Sequence, residues 1–255
     1  MNEMISITLR YTPGIGFIRL RELNGYDEMK IHGTDTGAAI RLVNSLLHPD
    51  ASAEPGISAE KFVTADRDHI LAAIYVHHFG KQVKGKSRCR HCTESFEIDF
   101  LLPELEQHLQ TPLPGSDLSP FVYTAGNSSF RLPTGEDELT VAAFPAEKAI
   151  DELLQRCLLS GSPDDRMAIQ TAMANIAPVL QTEISSVCPF CASAQEIRFD
   201  IQSYLMNKLK QEQSKLFHDT HRLASVYHWS HHSILEMPRR LRRKYVALIE
   251  AEIPV

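Results

Sequence analysis

Four of the five cysteines stand in two pairs, Cys89-Arg-His-Cys92 and Cys188-Pro-Phe-Cys191. Two intervening residues let both sulfurs of a pair turn toward one ion, and a structural tetrahedral site takes four such ligands. Neither pair has a second pair close by in the chain, so a complete site must combine the two. The expectation is one structural Zn2+ held by Cys89, Cys92, Cys188 and Cys191, with no open coordination position. Rival readings are a redox dithiol in each pair, a histidine ligand, or no metal. A redox CxxC opens a helix, whereas here Phe96, Ile98 and Phe100 follow one pair and Ile197, Phe199 and Ile201 the other. That alternation belongs to half-buried strands. His91 has Phe190 as its counterpart, so it is expected to be exposed and not a ligand. Cys157, inside the apolar run LLQRCLL, reads as an inert core thiol.

The elements that must position these cysteines are written twice. RLRELNGYDEMKI (19–31) resembles FRLPTGEDELTVA (130–142), and CRHCTESFEIDFLLPEL (89–105) resembles CPFCASAQEIRFDIQSYL (188–205). Between these markers each half carries two helix-like stretches, GAAIRLVNSLLH and TADRDHILAAIYVHHF in one, AEKAIDELLQRCLL and SPDDRMAIQTAMANIAPVL in the other. The second of each opens with Ser or Thr and acidic residues, an N-cap and first-turn pattern. The predicted fold is α+β and mostly helical. It has two duplicated halves, 1–112 and 113–204, each with a small knuckle hairpin, and a helical extension, 205–255. Residues 110–120 read as a linker and 48–58 as a loop, both rich in Pro, Gly and Ser. A pseudo-two-fold axis would bring the knuckles together, so that the zinc staples the halves.

The extension reads as a long amphipathic helix through Leu209, Leu216, Leu223 and Tyr227, a turn anchored by a buried Trp229, a short helix capped by Ser230, and a last helix opened by Pro238. Leu241, Tyr245, Leu248 and Ile249 are expected on one face of that last helix. Arg239, Arg240, Arg242, Arg243 and Lys244 crowd its first turns, where cations oppose the helix dipole. The cluster therefore calls for an anionic partner: an acidic protein surface, a nucleic-acid backbone or the chain's own carboxylates. His218, His221, His228, His231 and His232 read as surface or packing residues.

The 255 residues carry a formal net charge of −6, which argues against global nucleic-acid binding. No run approaches the ~20 apolar residues of a membrane span, so the expectation is a soluble protein made in the cytoplasm, with no membrane partner. There is no phosphate loop, nucleophile elbow, dinucleotide fingerprint or HExxH. The chain is read as no enzyme, with no small-molecule substrate.

The ending LASVYHWSHHSILEMPRRLRRKYVALI resembles that of tail proteins from contractile phages and related injection systems. RLRELNGYDEM, ADRDHILAAIYVHHFG, CRHC and CPFC…IRFDIQSYL fall in the order seen in the T-even-type baseplate hub assembly protein family. Tyr227, Trp229, Ser230, Ile234, Leu235, Pro238, Arg239, Arg240, Arg242 and Arg243 match its C-terminal phrase, and the four paired cysteines match those of some relatives. Met237 stands where Leu is usual, and His231 and His232 replace acidic residues. The resemblance implies an interaction protein that either stays in the baseplate or helps the hub assemble and leaves. Its partners would be other baseplate or hub proteins, and its location the producing bacterium's cytoplasm and then the tail. The docking residues expected on this basis are Tyr227, Trp229, Ile234, Leu235, Pro238, Arg239, Arg240, Arg242, Arg243 and Lys244. The alternatives are a zinc-ribbon nucleic-acid binder and a thiol oxidoreductase.

Overall fold

A computed structural model describes residues 4–48, 56–109, 121–162 and 165–252. In chain order these form β1 (Ile5–Thr8), β2 (Phe17–Leu20), α1 (Gly25–Met29), α2 (Thr36–Leu46), a 3-10 turn (Ala59–Lys61), α3 (Thr64–Phe79), β3 (Gln82–Arg88), β4 (Ser95–Leu101) and α4 (Leu102–Leu109). There follow β5 (Tyr123–Ala125), β6 (Ser128–Phe130), α5 (Gly135–Val141), α6 (Ala146–Cys157), β7 (Leu158–Ser160), α7 (Arg166–Ile176), β8 (Gln181–Val187), β9 (Ala194–Asp200), α8 (Ile201–Tyr227), α9 (His231–Glu236) and α10 (Arg239–Glu252). The sheets are small and antiparallel: β1-β2, β3-β4, β5-β6-β7 and β8-β9. The fold is α+β and mostly helical, as the periodicities predict. The expected linker at 110–120, and most of the expected loop at 48–58, lie outside the described residues.

Two units emerge, and their boundaries differ from the expected cuts at 112 and 204. Unit 1 comprises 1–8, 17–57 and 202–255; unit 2 comprises 9–16 and 58–201. The C-terminal helices therefore complete the first hairpin's unit and are not a separate extension. Likewise 9–16 leaves its own hairpin because the buried Asp66 carboxylate accepts from Arg10 N–H (2.8 Å), Tyr11 N–H (2.9 Å) and the Thr12 hydroxyl (2.7 Å).

Within unit 1, Asn24 and Asp27 form a capping box that opens α1. Arg21 grips the Asp27 carboxylate with two hydrogen bonds, 2.6 and 2.7 Å. Its amide donates to Leu46 O at 2.9 Å, and its guanidinium also reaches Ser45 O. One arginine thus ties β2, α1 and the end of α2. Unit 2 carries the same arrangement. Thr134 and Asp137 box α5, Arg131 grips Asp137 at 2.6 and 2.9 Å, its amide donates to Cys157 O at 2.9 Å, and its guanidinium reaches Arg156 O. Although burial opposes it, the Arg131 guanidinium and the Thr134 donors hold the Asp137 carboxyl well below the usual carboxylate range.

A second clamp also occurs once in each unit. The start of a helix lands on the carbonyl just before the box, Arg239 N–H on Leu23 O (2.7 Å) in unit 1 and Thr64 N–H on Pro133 O (3.1 Å) in unit 2. Three residues further on, an arginine meets the glutamate that follows the boxed aspartate: Arg242 with Glu28 at 2.5 Å, and Arg67 with Glu138. In unit 1 the short helix α9 comes so close that a Cβ on Gly25 would stand 2.6 Å from Leu235 Cδ2. The side-chain cap expected at Thr64 of α3 is not made. Val63 and Asp165 cap α3 and α7 without side-chain bonds, and the Thr64 hydroxyl goes instead to Pro133 O and Glu138.

Candidate metal centre

Both knuckles lie in unit 2, at the turns of β3-β4 and β8-β9. In each hairpin seven residues pair on either side, Arg88 opposite Ser95 and Val187 opposite Ala194 at the last rungs. Each turn is closed in the same way. Cys89 N–H donates to Glu94 O (2.9 Å) and Thr93 N–H to Cys89 O (3.1 Å); Cys188 N–H donates to Ser193 O (3.0 Å) and Ala192 N–H to Cys188 O (2.9 Å). Thr93 and Ala192 take left-handed backbone, φ 62° and 57°. Each costs roughly 1 kcal/mol without a glycine, so the turn is held against local preference.

These turns bring the four Sγ atoms within 4.8 Å of one another, Cys89 to Cys191 at 3.7 Å and Cys92 to Cys188 at 3.7 Å. The cluster can hold a metal ion. It is the one such group found among the described residues. Beneath it Phe96 is buried with Cys89 and Cys188, Ile98 and Ile197 pack alongside, and Phe100 meets Phe199 edge to face at 5.0 Å. Of the strand residues read from the sequence, Phe96, Ile98 and Ile197 thus form the floor of the site, Phe100 and Phe199 meet at the far end of the hairpins, and Ile201 is the first residue of α8 and not of a strand. Since both knuckles belong to one unit, a metal would staple two hairpins inside unit 2. It would not join two separate halves, because the halves of the sequence are not the units of the fold.

A shell of donors faces the sulfurs. His91 N–H and Cys92 N–H point at Cys89 Sγ, at 3.3 and 3.4 Å. The Ser193 hydroxyl lies 3.3 Å from Cys89 Sγ and 3.2 Å from Cys191 Sγ. Gln195, nearly buried, fixes that hydroxyl by donating to it at 2.8 Å, and accepts Arg90 N–H from the opposite knuckle at 3.0 Å. Ser193 and then the Cys92 amide push Cys89 down to about 5, and Ser193 also lowers Cys191. The Glu94 amide acts to lower Cys92, but burial and the neighbouring sulfurs push it up to about 12. Thiolates this close repel, and a cation is what allows all four to ionise together. Ser193 and Gln195 are absent from the sequence reading, since a serine and a glutamine after a CxxC carry no pattern. His91 is exposed, as is Phe190, and Cys157 is fully buried, its thiol pushed up to about 11 by burial.

The C-terminal residues expected to dock a partner are mostly turned into unit 1. Ile234 and Leu235 are buried, and Ile234 packs with Leu223, Val246 and Ile249. Tyr227, Trp229 and Tyr245 form a half-buried aromatic cluster, with Tyr227 stacked on Trp229 at 4.7 Å and Trp229 edge-on to Tyr245 at 5.0 Å. Pro238 bridges to Asn24. Arg239 and Arg242 are buried with Glu28 and Glu212, while half-buried Arg243 joins Glu212 and, at 3.2 Å, Asp219. Burial opposes ionisation of Glu212, yet Lys215, Arg239 and Arg243 pull it down to about 2. Half-buried Arg240 lies 3.9 Å from Glu22, and Lys244 is exposed. The cations are thus answered by the chain's own carboxylates. This corrects the free docking surface for Ile234, Leu235, Arg239 and Arg242. The apolar face of α10 is corrected in part: Ile249 and half-buried Tyr245 pack inward as expected, joined by Val246, while Leu241 and Leu248 point outward.

No helix among the described residues is long and apolar enough to cross a membrane. Comparison with protein-family models, curated proteins and solved structures gives no match.

Proposed function

We propose that the protein is a structural or assembly component of the baseplate or hub of a contractile tail machine, with its two knuckles stapled by one Zn2+. The observation that carries this reading is the closed four-sulfur cluster. A metal there has every position filled by protein and none left for a substrate, which suits scaffolding and not catalysis. Sulfurs of a Zn–S tetrahedron with ~2.3 Å bonds stand ~3.8 Å apart, close to the two 3.7 Å separations. The Trp-Ser to Arg-Arg phrase supports the tail assignment, and its buried arginines are framework where exposed Lys244 and the half-exposed Arg240 are surface.

The nucleic-acid alternative draws less support. Lys84 and Lys86 on β3 stand opposite Asp99 and Glu97 across the ladder, so the basic strand is internally balanced. Two measurements test the proposal. Elemental analysis of protein purified under reducing conditions is expected to give one zinc per chain. Tagged protein co-expressed with the tail genes of its host is expected to co-sediment with hub or baseplate intermediates. Two metals, no metal, or salt-dependent binding to duplex DNA without any tail protein would defeat it.

A further inference from the structure

We propose that unit 1 binds a zwitterionic α-amino acid with an apolar side chain in the cavity between α1 and α2. The inference is independent of the metal and of the tail assignment, because it comes from comparing the two arginine–aspartate pairs that brace the boxed helices.

Two bonds fix the correspondence. Arg21 N–H bonds Leu46 O and Arg131 N–H bonds Cys157 O, both at 2.9 Å. Each guanidinium also reaches the carbonyl one residue earlier, Ser45 O at 2.7 Å and Arg156 O at 3.2 Å. Ser45 therefore stands where unit 2 has Arg156, and Asp27 where it has Asp137. In unit 2 the Arg156 side chain turns back onto the aspartate, its Nε donating to Asp137 Oδ1 at 3.0 Å. That oxygen thus takes two donors, Arg156 and, at 2.9 Å, Arg131. In unit 1 Asp27 Oδ1 takes Arg21 at 2.7 Å and no second donor among the described residues. A carboxylate oxygen has room for two. Serine is too short to supply the second, and a cavity of about 300 Å³ has both Asp27 and Ser45 in its wall. Arg156 marks the kind of group that belongs on the open side of that oxygen, a cation with N–H donors.

The rest of the wall names the other half of the ligand. Four residues before Ser45 stands Arg41, where unit 2 has Glu152; three after Asp27 stands Lys30, where unit 2 has Thr140. Both line the cavity and are exposed, and among the described residues neither forms an ion pair. Unit 1 has lost the cation over its aspartate and gained two at the rim. A ligand that answers both carries both charges, an ammonium donating to Asp27 Oδ1 and a carboxylate met by Lys30 and Arg41. A plain anion would leave Asp27 unmet and meet its charge, and a plain cation would face Lys30 and Arg41. His32 lines the same cavity, and Ile31, Ala38 and Leu42, all buried, give it an apolar side. About 300 Å³ lies at the small end of ligand sites, which suits a single amino acid. Leu47 bridges Leu20 and His48 N–H bonds Arg19 O at 3.0 Å, so the chain leaves α2 back along β2 and away from α1.

The probe is L-leucine, titrated into the full-length protein by isothermal calorimetry beside two analogues: isocaproate, which lacks the ammonium, and isoamylamine, which lacks the carboxylate. Leucine is expected to saturate one site per chain, and each analogue to bind about tenfold or more weaker, as loss of a hydrogen bond to a charged group predicts. Ser45→Arg restores the unit 2 arrangement and is expected to abolish leucine binding without lowering the melting temperature read by circular dichroism. Arg41→Glu should weaken leucine about tenfold or more and leave isoamylamine no weaker. Lys244→Glu, on α10, should leave leucine binding unchanged. No binding at millimolar leucine, isocaproate bound as tightly as leucine, or leucine binding that survives Ser45→Arg overturns the proposal. If Ser45→Arg fails to fold, Arg41→Glu decides, and unchanged leucine binding there overturns it as well.

Discussion

Ser193 is the residue on which the chemistry of the metal cluster turns. Its hydroxyl sits within 3.3 Å of two sulfurs from different knuckles, and Gln195 holds it there. A donor so placed offsets the negative charge of four thiolates, and loss of such an outer contact typically costs 10–100-fold in metal affinity. Ser193→Ala is therefore expected to lower affinity by roughly tenfold or more while leaving stoichiometry at one, measured by chelator competition. Unchanged affinity would show that the backbone amides suffice. The cysteines were legible because CxxC spacing is a local rule that needs no tertiary knowledge. Ser193 was not legible, because its counterpart in the first knuckle is Glu94 and nothing in either type announces a sulfur contact.

At the scale of elements, two buried ionic contacts set opposite responses to pH. Glu212 is pulled down to about 2 by its cations, so the folded unit holds the ionised form and the stability it lends is present above the unfolded value of ~4.3. That stability is lost as pH falls toward 2. Asp68 behaves in the opposite sense. Burial raises it to about 7 despite Arg67 and the Leu180 amide, which donates to it at 2.9 Å. Its contribution is full below the unfolded value of ~3.9 and is lost as pH rises through about 7. Asp68→Asn keeps an acceptor for Leu180 N–H and is expected to flatten the decline in stability between about pH 4 and about 7, read from urea midpoints. Arg242→Met removes one of the two arginines on buried Glu28 and should destabilise, by less than the about 3–5 kcal/mol of a wholly broken buried pair because Arg239 remains, read from urea midpoints. The start of α9 and the break at Pro238 could be read from capping chemistry. The inward face of α10 could not, because a hydrophobic pattern assigns arginine to solvent, and here Arg239 and Arg242 enter the interior to meet Glu28.

At the scale of the molecule, order along the chain and grouping in space part company. The repeated order of hairpin, boxed helix and knuckle is visible in sequence. Which box each helix lands on is not, since periodicity marks a buried face without naming its cover. Hence α10 lands on the box at Asn24 and α3 on the box at Thr134, and the expected cuts at 112 and 204 miss both. The consequence for metal removal can be worked through. All four cysteines lie within unit 2. A structural zinc site contributes roughly 10–16 kcal/mol, comparable to the ~5–15 kcal/mol stability of a whole domain. Without the ion, crowded thiols and left-handed turns at Thr93 and Ala192 oppose the arrangement, and the two hairpin tips are left with the Arg90–Gln195 bond and the packing around Phe96, Ile98 and Ile197. Chelation under reducing conditions should therefore abolish amide protection in β3-β4 and β8-β9. The clamp of Arg239 and Arg242 on Glu28 has all its partners in unit 1 and should keep α1 and α10 protected. Hydrogen exchange resolved by segment distinguishes this from a global collapse. Protection that persists in both knuckles after complete metal loss would mean that the floor of Phe96, Ile98 and Ile197, with the Phe100–Phe199 contact further along, holds the hairpins unaided.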